Sequence, residues 1–217
     1  MHNKKSIYEL EFDCMSETKA EELVEKYFSS EQIHLIYYVE PKLVLTDLSE
    51  EEISLIQSAK LVMAVQTELY EDLQSAKENY SRIVKGIEFL KIISTYVKKK
   101  KEKVIVLSSS EEDCEAFMRF LHLDRNLCKN IIVAQMKETD MDGFVNEMNM
   151  DMAPVVFSLM QHDIQIEFIR NYVDKLDTKM VVMLGDSLEY MKKSEKKIHK
   201  ILKALHIGKK HYNLPKK

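Results

Sequence analysis

Polar side chains lie at the ends of four short apolar runs in the second half of the chain. The runs cover residues 104–107, 131–134, 155–159 and 180–184. The candidate ligand-binding residues that end or follow them are Ser108, Ser109, Ser110, Gln135, Ser158, His162, Gly185, Asp186 and Ser187, all of them polar except the glycine. Hydroxyls, amides and helix N-termini can hold a small polar or anionic ligand. Serine and aspartate are also common helix caps, so capping is the alternative interpretation of the same residues.

The chain contains little that indicates catalysis or a cofactor. Its three cysteines show no CxxC spacing, and Cys114, His122, Cys128 and His162 are not spaced as zinc ligands. There is no G-x-G-x-x-G or Walker pattern for a dinucleotide or a triphosphate. We therefore expect no cofactor and no metal, and we assign no catalytic residue. A small enzyme that uses the strand ends remains an alternative.

The four runs predict the structure that positions these polar groups. They alternate with helical segments at 111–121, 142–148, 163–176 and 187–205, which is typical of a parallel sheet covered on both faces. Residues 102–217 are thus predicted to form a doubly wound α/β domain of flavodoxin-like or Rossmann-like type. In such a sheet ligands bind beyond the carboxyl ends of the strands, where the polar groups are expected.

The first 68 residues show a different pattern. Strand candidates at 7–13, 33–39, 43–47 and 61–66 surround helices that begin after Ser16 and Ser49, and Ser49 with Glu52 has capping-box spacing. The order β-α-β-β-α-β predicts a ferredoxin-like α+β module with an antiparallel sheet. Residues 40–42 would join the second and third strands as a hairpin turn.

A long helix is predicted to link the two modules over residues 69–101. Apolar or small residues recur at alternating steps of four and three, the spacing of a seam that faces one partner. The partner-binding candidates on this seam are Leu73, Tyr80, Ile83, Ile87 and Leu90. They predict a homodimer, and the alternative is that the second half of the helix packs on the sheet of the C-terminal domain.

Two segments of the α/β domain resemble a known family. The run VIVLSSSEEDCEAFMRFL resembles the first strand and helix of a response-regulator receiver, and DMDGF is similar to the segment after that family's phosphorylated aspartate. The resemblance implies Gln135 in the phosphoacceptor position and serines where acidic metal-binding residues belong. It therefore implies a receiver that cannot be phosphorylated. The chain between residues 107 and 131 is too short for the family's second strand and helix.

Charge is distributed unevenly along the chain. Residues 192–217 hold ten lysines against one glutamate, a net charge of +9. Because the whole chain has a net charge of −4, the remaining residues carry −13. A Lys-rich helix and tail could contact nucleic acid or another anionic polymer, and otherwise they form a solvated face. The anion-contact candidates are Lys192, Lys193, Lys196, Lys197, Lys200 and Lys203.

The composition excludes several other classes. No apolar run is long enough to cross a membrane, and no apolar segment of signal-peptide type follows the first residues. The odd, unpaired cysteine count favours a reducing, cytoplasmic setting. We expect a non-catalytic regulatory or protein-interaction module, homodimeric, that senses a small polar or anionic ligand at the strand ends. A nucleic-acid-associated protein is the first alternative, and the enzyme is the second.

Overall fold

The computed structural model describes residues 2–7, 9–65, 83–133, 141–187 and 189. Its strands are β1 (His2–Ile7), β2 (Leu10–Met15), β3 (His34–Val39), β4 (Leu61–Ala64), β5 (Val104–Ser108), β6 (Cys128–Ile132), β7 (Val155–Ser158) and β8 (Met180–Met183). Its α-helices are α1 (Glu17–Phe28), α2 (Pro41–Val44), α3 (Glu50–Gln57), α4 (Gly86–Lys100), α5 (Glu111–Leu121), α6 (Met141–Asp151) and α7 (His162–Asn171).

Six of the strands form one parallel sheet in the order β4-β3-β8-β7-β5-β6. The other two, β1 and β2, form a separate antiparallel pair. Strands β3, β5, β7 and β8 are buried along their whole length, which explains why their sequences are continuous apolar runs rather than alternating ones. The α/β class and the parallel sheet predicted from the sequence are confirmed.

Helices cover both faces of this sheet. Because successive strand residues point to opposite faces, each strand contributes to two apolar layers. Side chains of α3, α6 and α7 pack in one layer together with Leu10, Phe12 and Cys14 of the β1–β2 hairpin. Side chains of α1, α4 and α5 pack in the other layer. In the part of the chain that the structure describes, no helix is both long and apolar enough to cross a membrane.

The predicted ferredoxin-like module is not confirmed. Strands β3 and β4 pair in parallel, and β3 also pairs with β8 from the far end of the chain, so strands of both predicted modules share one sheet. The strand predicted at residues 43–47 is wrong, because helix α2 occupies Pro41–Val44. Proline has no amide hydrogen and a fixed φ, so it fits the first position of a helix as well as a turn.

The structure has a helix in the second half of the segment predicted as a linking helix, and residues 69–82 of that segment lie outside the described residues. Helix α4 begins at Gly86, and before it Ile83 forms an antiparallel bridge with Ser16 while the Val84 amide donates to the Met15 carbonyl at 2.9 Å. The prediction of an unbroken helix through residues 83–85 is therefore wrong. Residue 68, the predicted end of the first module, lies outside the described residues. Lys101, the predicted end of the linker, is the left-handed C-cap of α4, with φ 56°.

Candidate functional site

A cleft of about 340 Å³ opens at the carboxyl ends of β3 and β8 and at the start of α7. Strand β8 lies between β3 and β7, so the loops after these three neighbouring strands meet at this edge of the sheet. The residues that line the cleft are Tyr37, Tyr38, Glu40, Lys42, Leu43, Thr46, Gln161, His162, Asp163, Gln165 and Asp186. Two predicted ligand-binding residues, His162 and Asp186, belong to it.

Glu40 and Asp186 are brought together from opposite ends of the chain. Glu40 follows β3 as the N-cap of α2, and Asp186 follows β8. The Asp186 amide donates to Glu40 Oε1 at 2.5 Å. Gly185 makes this approach possible, since it has φ +55° and a Cβ at its position would overlap Glu40 Oε1. The predicted Gly185 is therefore required for the backbone path at the cleft.

The Glu40 carboxyl has a raised pKa. Burial first, and the neighbouring Asp186 carboxylate second, raise this pKa to about 7. The hydrogen bond from the Asp186 amide and the charge of Lys42 act against this rise, while the Glu189 carboxylate adds to it. A buried carboxyl of this kind can hold or release a proton at physiological pH.

We expect the protein to lose stability as Glu40 ionises. From the ordinary value of 4.5 up to about 7, the folded protein retains a proton that the unfolded chain has released. The free energy of unfolding therefore falls as the pH rises through this window, by about 1–2 kcal/mol once partial solvent screening is allowed for. Urea unfolding at pH 5, 6, 7 and 8, with the Glu40→Gln variant beside the wild type, measures the change.

The difference between the two proteins isolates Glu40, because every other titrating group is shared by both. Glu40→Gln keeps an acceptor for the Asp186 amide and removes the ionisation. It should gain stability relative to the wild type as the pH rises, with most of the gain between pH 5 and 8. Parallel pH profiles for the two proteins would contradict the assignment.

His162 is held by both of its ring nitrogens. Its Nδ1 lies 2.7 Å from the Tyr37 hydroxyl, and its Nε2 lies 3.3 Å from Glu52 Oε1. Burial raises the pKa of Tyr37 well above its usual range, so the phenol stays protonated. The Glu52 carboxylate can only accept, so Nε2 carries the proton of that contact, and in the neutral ring Nδ1 accepts from the Tyr37 hydroxyl. His162 thus connects β3 and α3 to the start of α7 and forms a fixed wall of the cleft.

The Glu52 carboxylate also caps the N-terminus of its own helix, α3. Its Oε2 accepts from the backbone amide of Ser49 at 2.8 Å and from the Ser49 hydroxyl at 2.6 Å, which completes the predicted capping box of α3. The Ser49 hydrogen bonds, with a smaller contribution from His162, lower the pKa of Glu52. Glu52 is therefore a carboxylate that orients His162.

Two further predicted residues are buried beside the cleft. Ser158 ends β7, and its carbonyl accepts a hydrogen bond of 3.2 Å from Gln165 Nε2. Its hydroxyl lies 3.4 Å from the same nitrogen. Ser187 is buried, its amide donates to the Leu184 carbonyl, and its hydroxyl has no hydrogen-bond partner within the described ranges. Neither side chain lines the cleft.

The serines after β5 do not line this cleft. The Ser108 hydroxyl lies 2.8 Å from the Ser110 carbonyl and 3.0 Å from Asn130 Oδ1. Ser110 caps α5, where its Oγ accepts from the Asp113 amide at 3.1 Å and donates to Asp113 Oδ2 at 2.7 Å. Ser109 is exposed. The capping interpretation therefore accounts for Ser110, and Gln135 lies outside the described residues.

The residues of two other predicted groups lie either in this chain's own core or outside the described residues. On the seam, Ile83 and Leu90 are buried in this chain's own core and Ile87 packs against it. Leu73 and Tyr80 lie in the segment 66–82, which the structure does not describe. The same holds for the lysine candidates, Lys192, Lys193, Lys196, Lys197, Lys200 and Lys203.

Sequence reasoning missed Glu40, Tyr37 and Gln165. Glu40 was interpreted as part of a hairpin turn, and the module that contains it was expected to be separate from the strand-end residues. The available signal was the run 35–39, which has no charged or strongly polar side chain and is therefore typical of a strand buried on both faces.

Comparisons with known proteins add no assignment. No protein-family model matches the chain, and no curated protein matches it significantly. Among the residues that the structure describes, no group of three or more His, Cys, Asp or Glu side chains is arranged to hold a metal ion.

Proposed function

We propose that this protein is a non-catalytic regulatory or protein-interaction module that binds a small polar ligand in the strand-end cleft. The observation that carries the proposal is the meeting of Glu40 and Asp186 in a cleft at the carboxyl ends of parallel strands. This is the edge at which open α/β sheets bind their ligands. The cleft's volume is in the range of small-molecule sites.

The charges of the cleft favour a ligand with a cationic, hydrogen-bond-donating group. Its lining includes the carboxyl groups of Glu40, Asp163 and Asp186, against the single ammonium group of Lys42. An anion would meet this excess of negative charge. Of the small polar or anionic ligand that the sequence suggested, we therefore favour a polar one that carries a protonated amine. An ammonium group beside Glu40 would also favour its ionised form.

The state of His162 supports a binding role rather than catalysis. A general base needs a free lone pair near the reacting group, and both ring nitrogens of His162 are engaged by Tyr37 and Glu52. One observation favours the enzyme alternative: the pKa of Glu40, about 7, is suitable for proton transfer. Glu40 is therefore the residue that would act in such a reaction.

The predicted homodimer and the predicted nucleic-acid binding rest on the sequence alone. The homodimer now depends on residues 66–82, because Ile83 and Leu90 are covered by this chain itself. Nucleic-acid binding depends on the charge of residues 192–217. Neither has support from a described contact.

A small panel of ions tests the proposal. We expect methylammonium and 1,4-diaminobutane to bind at pH 8, and acetate and inorganic phosphate not to bind, as measured by chemical-shift changes at Glu40, Gln165 and Asp186. Asp186→Asn should weaken amine binding by about tenfold, since one charge at close range contributes about 1 kcal/mol or more. Asp174→Asn removes the same charge at an exposed position outside the cleft lining and should leave binding unchanged.

Three results would count against the proposal. Phosphate binding at the cleft would contradict the sign of the ligand's charge. Equal effects of the two aspartate substitutions would show that only the overall charge of the protein attracts amines. Shift changes confined to residues outside the cleft would place the binding elsewhere.

A further inference from the structure

Positive charge is concentrated at the amino ends of β5 and β6, at the edge of the sheet opposite the cleft. Helices α4 and α5 end there, and the first residues of the two strands, Val104 and Cys128, pair with each other. The helix ends are in contact, since Ser94 Oγ and Lys98 Nζ donate to the Leu121 carbonyl at 2.9 and 3.2 Å. The cations that surround this contact form what we call the basic surface: Lys98, Lys99, Lys100, Lys101, Lys103, Arg119 and Arg125.

The charges of the basic surface are open to solvent and only partly neutralised. All seven side chains are exposed. Within the described ranges, none of the five lysines is in an ion pair with a carboxylate. The two guanidinium groups share one carboxylate, Glu115, at 3.3 Å from Arg119 and 3.1 Å from Arg125. Together these three side chains line a groove of about 470 Å³.

The local charge is opposite in sign to that of the whole chain. Residues 98–103 and 115–125 hold the seven cations against three acids, Glu102, Glu115 and Asp124, so positive charge exceeds negative charge by four. The complete chain has a net charge of −4. The positive potential of the basic surface therefore arises from local clustering and not from the composition of the protein.

Helix polarity accounts for only part of this clustering. Three of the lysines lie in the last turn of α4 and Arg119 lies in the last turn of α5, where cations stabilise the negative end of a helix. Lys103 and Arg125 lie beyond these two helices, ahead of β5 and β6. The dipoles of α4 and α5 do not require a cation at either position.

We propose that the basic surface binds the phosphate backbone of a nucleic acid without reading its bases. Closely spaced cations are matched by closely spaced anions, and nucleic acid carries one negative charge per nucleotide. Lysine ammonium groups act as point charges, which contact phosphates but carry little base specificity. Tyr96 stacks on Phe28 with ring centroids 4.2 Å apart, so its ring is already engaged within the chain and is not a free platform for a base.

A lipid surface is a less suitable partner than a nucleic acid. Segments that lie on anionic membranes combine basic side chains with apolar ones that enter the interface. In the part of the chain that the structure describes, the exposed large apolar residues are Leu45, Ile132, Met150 and Met152, and none of them belongs to the basic surface. The basic surface therefore offers charge without an apolar anchor.

Fluorescence anisotropy with the full chain tests the proposal. The probe is a labelled oligothymidine of about 20 nucleotides, titrated at several salt concentrations. We expect binding that weakens as salt rises, because each phosphate contact releases counterions. Lys103→Gln/Arg125→Gln should lower the affinity about tenfold at low salt. It should also reduce the slope of log K against log salt by about 1.4, since each contact with a single strand contributes about 0.7.

Two control variants remove equal charge elsewhere. Lys4→Gln/Arg170→Gln affects β1 and α7, at exposed side chains that are in ion pairs with glutamates, as Arg125 is. It should leave the affinity and the salt slope unchanged. Lys192→Gln/Lys193→Gln tests the Lys-rich residues 192–217 as the source of binding. Equal urea midpoints for all variants and the wild type would show that a loss of binding is not a loss of fold.

Four results would overturn the proposal. One is no binding of the wild type to the oligonucleotide at low salt. Another is the same loss from Lys4→Gln/Arg170→Gln, which would show that only overall charge matters. A loss confined to Lys192→Gln/Lys193→Gln would assign the binding to residues 192–217. Tighter binding to phosphatidylglycerol vesicles than to the oligonucleotide would assign the basic surface to a membrane. Amine binding is measured at the opposite edge of the sheet, so the two proposals can fail separately.

Discussion

Replacing Gly86 by alanine should destabilise the fold by about 2–3 kcal/mol, although alanine is the better helix former. Gly86 is the first residue of α4 and is buried. A Cβ at this position would overlap the carbonyl oxygen of Ala64 and would lie 2.9 Å from Cε1 of Tyr38. Ala64 belongs to β4, and Tyr38 is a fully buried residue of β3. The clash is with the backbone of the sheet and therefore cannot be relieved by a rotamer change alone.

The Tyr38 hydroxyl adds to the expected loss. It donates to the Gly86 carbonyl at 2.9 Å and fixes the start of α4 against the sheet. Moving the helix away to accommodate a methyl group would lengthen this buried hydrogen bond. The substitution therefore tests the placement of α4 on β3 and β4, and not only the local space around one atom.

Urea unfolding measures this effect, with Thr95→Ala as the matched control. Thr95 is an exposed residue of the same helix, and its substitution should change the free energy of unfolding by less than about 0.5 kcal/mol. A Gly86→Ala protein as stable as the Thr95→Ala protein would show that α4 does not begin in contact with Ala64.

Local features of the sequence predicted the parts of the fold that depend on neighbouring residues. Ser16 and Ser49 cap their helices as expected, because a cap requires only a side chain and an amide three residues away. The apolar runs of β5, β7 and β8 were found because a strand buried on both faces has a continuous apolar sequence. The position of β6 was displaced, since Cys128, Lys129 and Asn130 begin it with polar and half-buried residues.

Non-local pairing is what the sequence could not show. Helix α2 was misread because a proline after Glu40 suits a turn and a helix start equally. Nothing in residues 34–39 indicates that their neighbour in the sheet is β8, which begins 146 positions later at Met180. The candidate site could not be predicted for the same reason. Tyr37 contacts His162, and Glu40 contacts Asp186, only when β3 lies beside β8.

The seam illustrates what helical periodicity leaves open. The steps of three and four along residues 83–97 predicted a covered face, and Leu90 and Val97 are indeed buried. Their cover is the sheet and the neighbouring helices of the same chain, where Ser94 Oγ donates to the Leu121 carbonyl at 2.9 Å. A helical period shows that a face is covered, but it does not identify the partner that covers it.

The second large effect is expected at Asp13, a buried carboxylate in β2. Its Oδ2 accepts a hydrogen bond of 2.7 Å from the backbone amide of Val62, and its Oδ1 lies 2.6 Å from Nε2 of His2. Strand β4, to which Val62 belongs, is an edge of the six-stranded sheet. The Asp13 side chain therefore satisfies an edge amide and connects the β1–β2 hairpin to the sheet.

Asp13→Ala should lower the free energy of unfolding by about 2–4 kcal/mol, because it leaves the Val62 amide buried without an acceptor and releases His2 as well. Asp13→Asn should cost less, since its carbonyl oxygen can still accept from Val62 while the negative charge beside His2 is removed. His2→Ala removes only that second contact and serves as the control.

Urea unfolding ranks the three variants, and hydrogen exchange of the Val62 amide reports directly on the bond. Equal stability of Asp13→Ala and His2→Ala would mean that the Val62 bond contributes nothing. Faster exchange at Val62 in Asp13→Ala, with protection retained in Asp13→Asn, is the expected result. It would establish that a single side chain of the hairpin closes this edge of the sheet, a role that neither the charge of Asp13 nor its position in an alternating strand could have revealed.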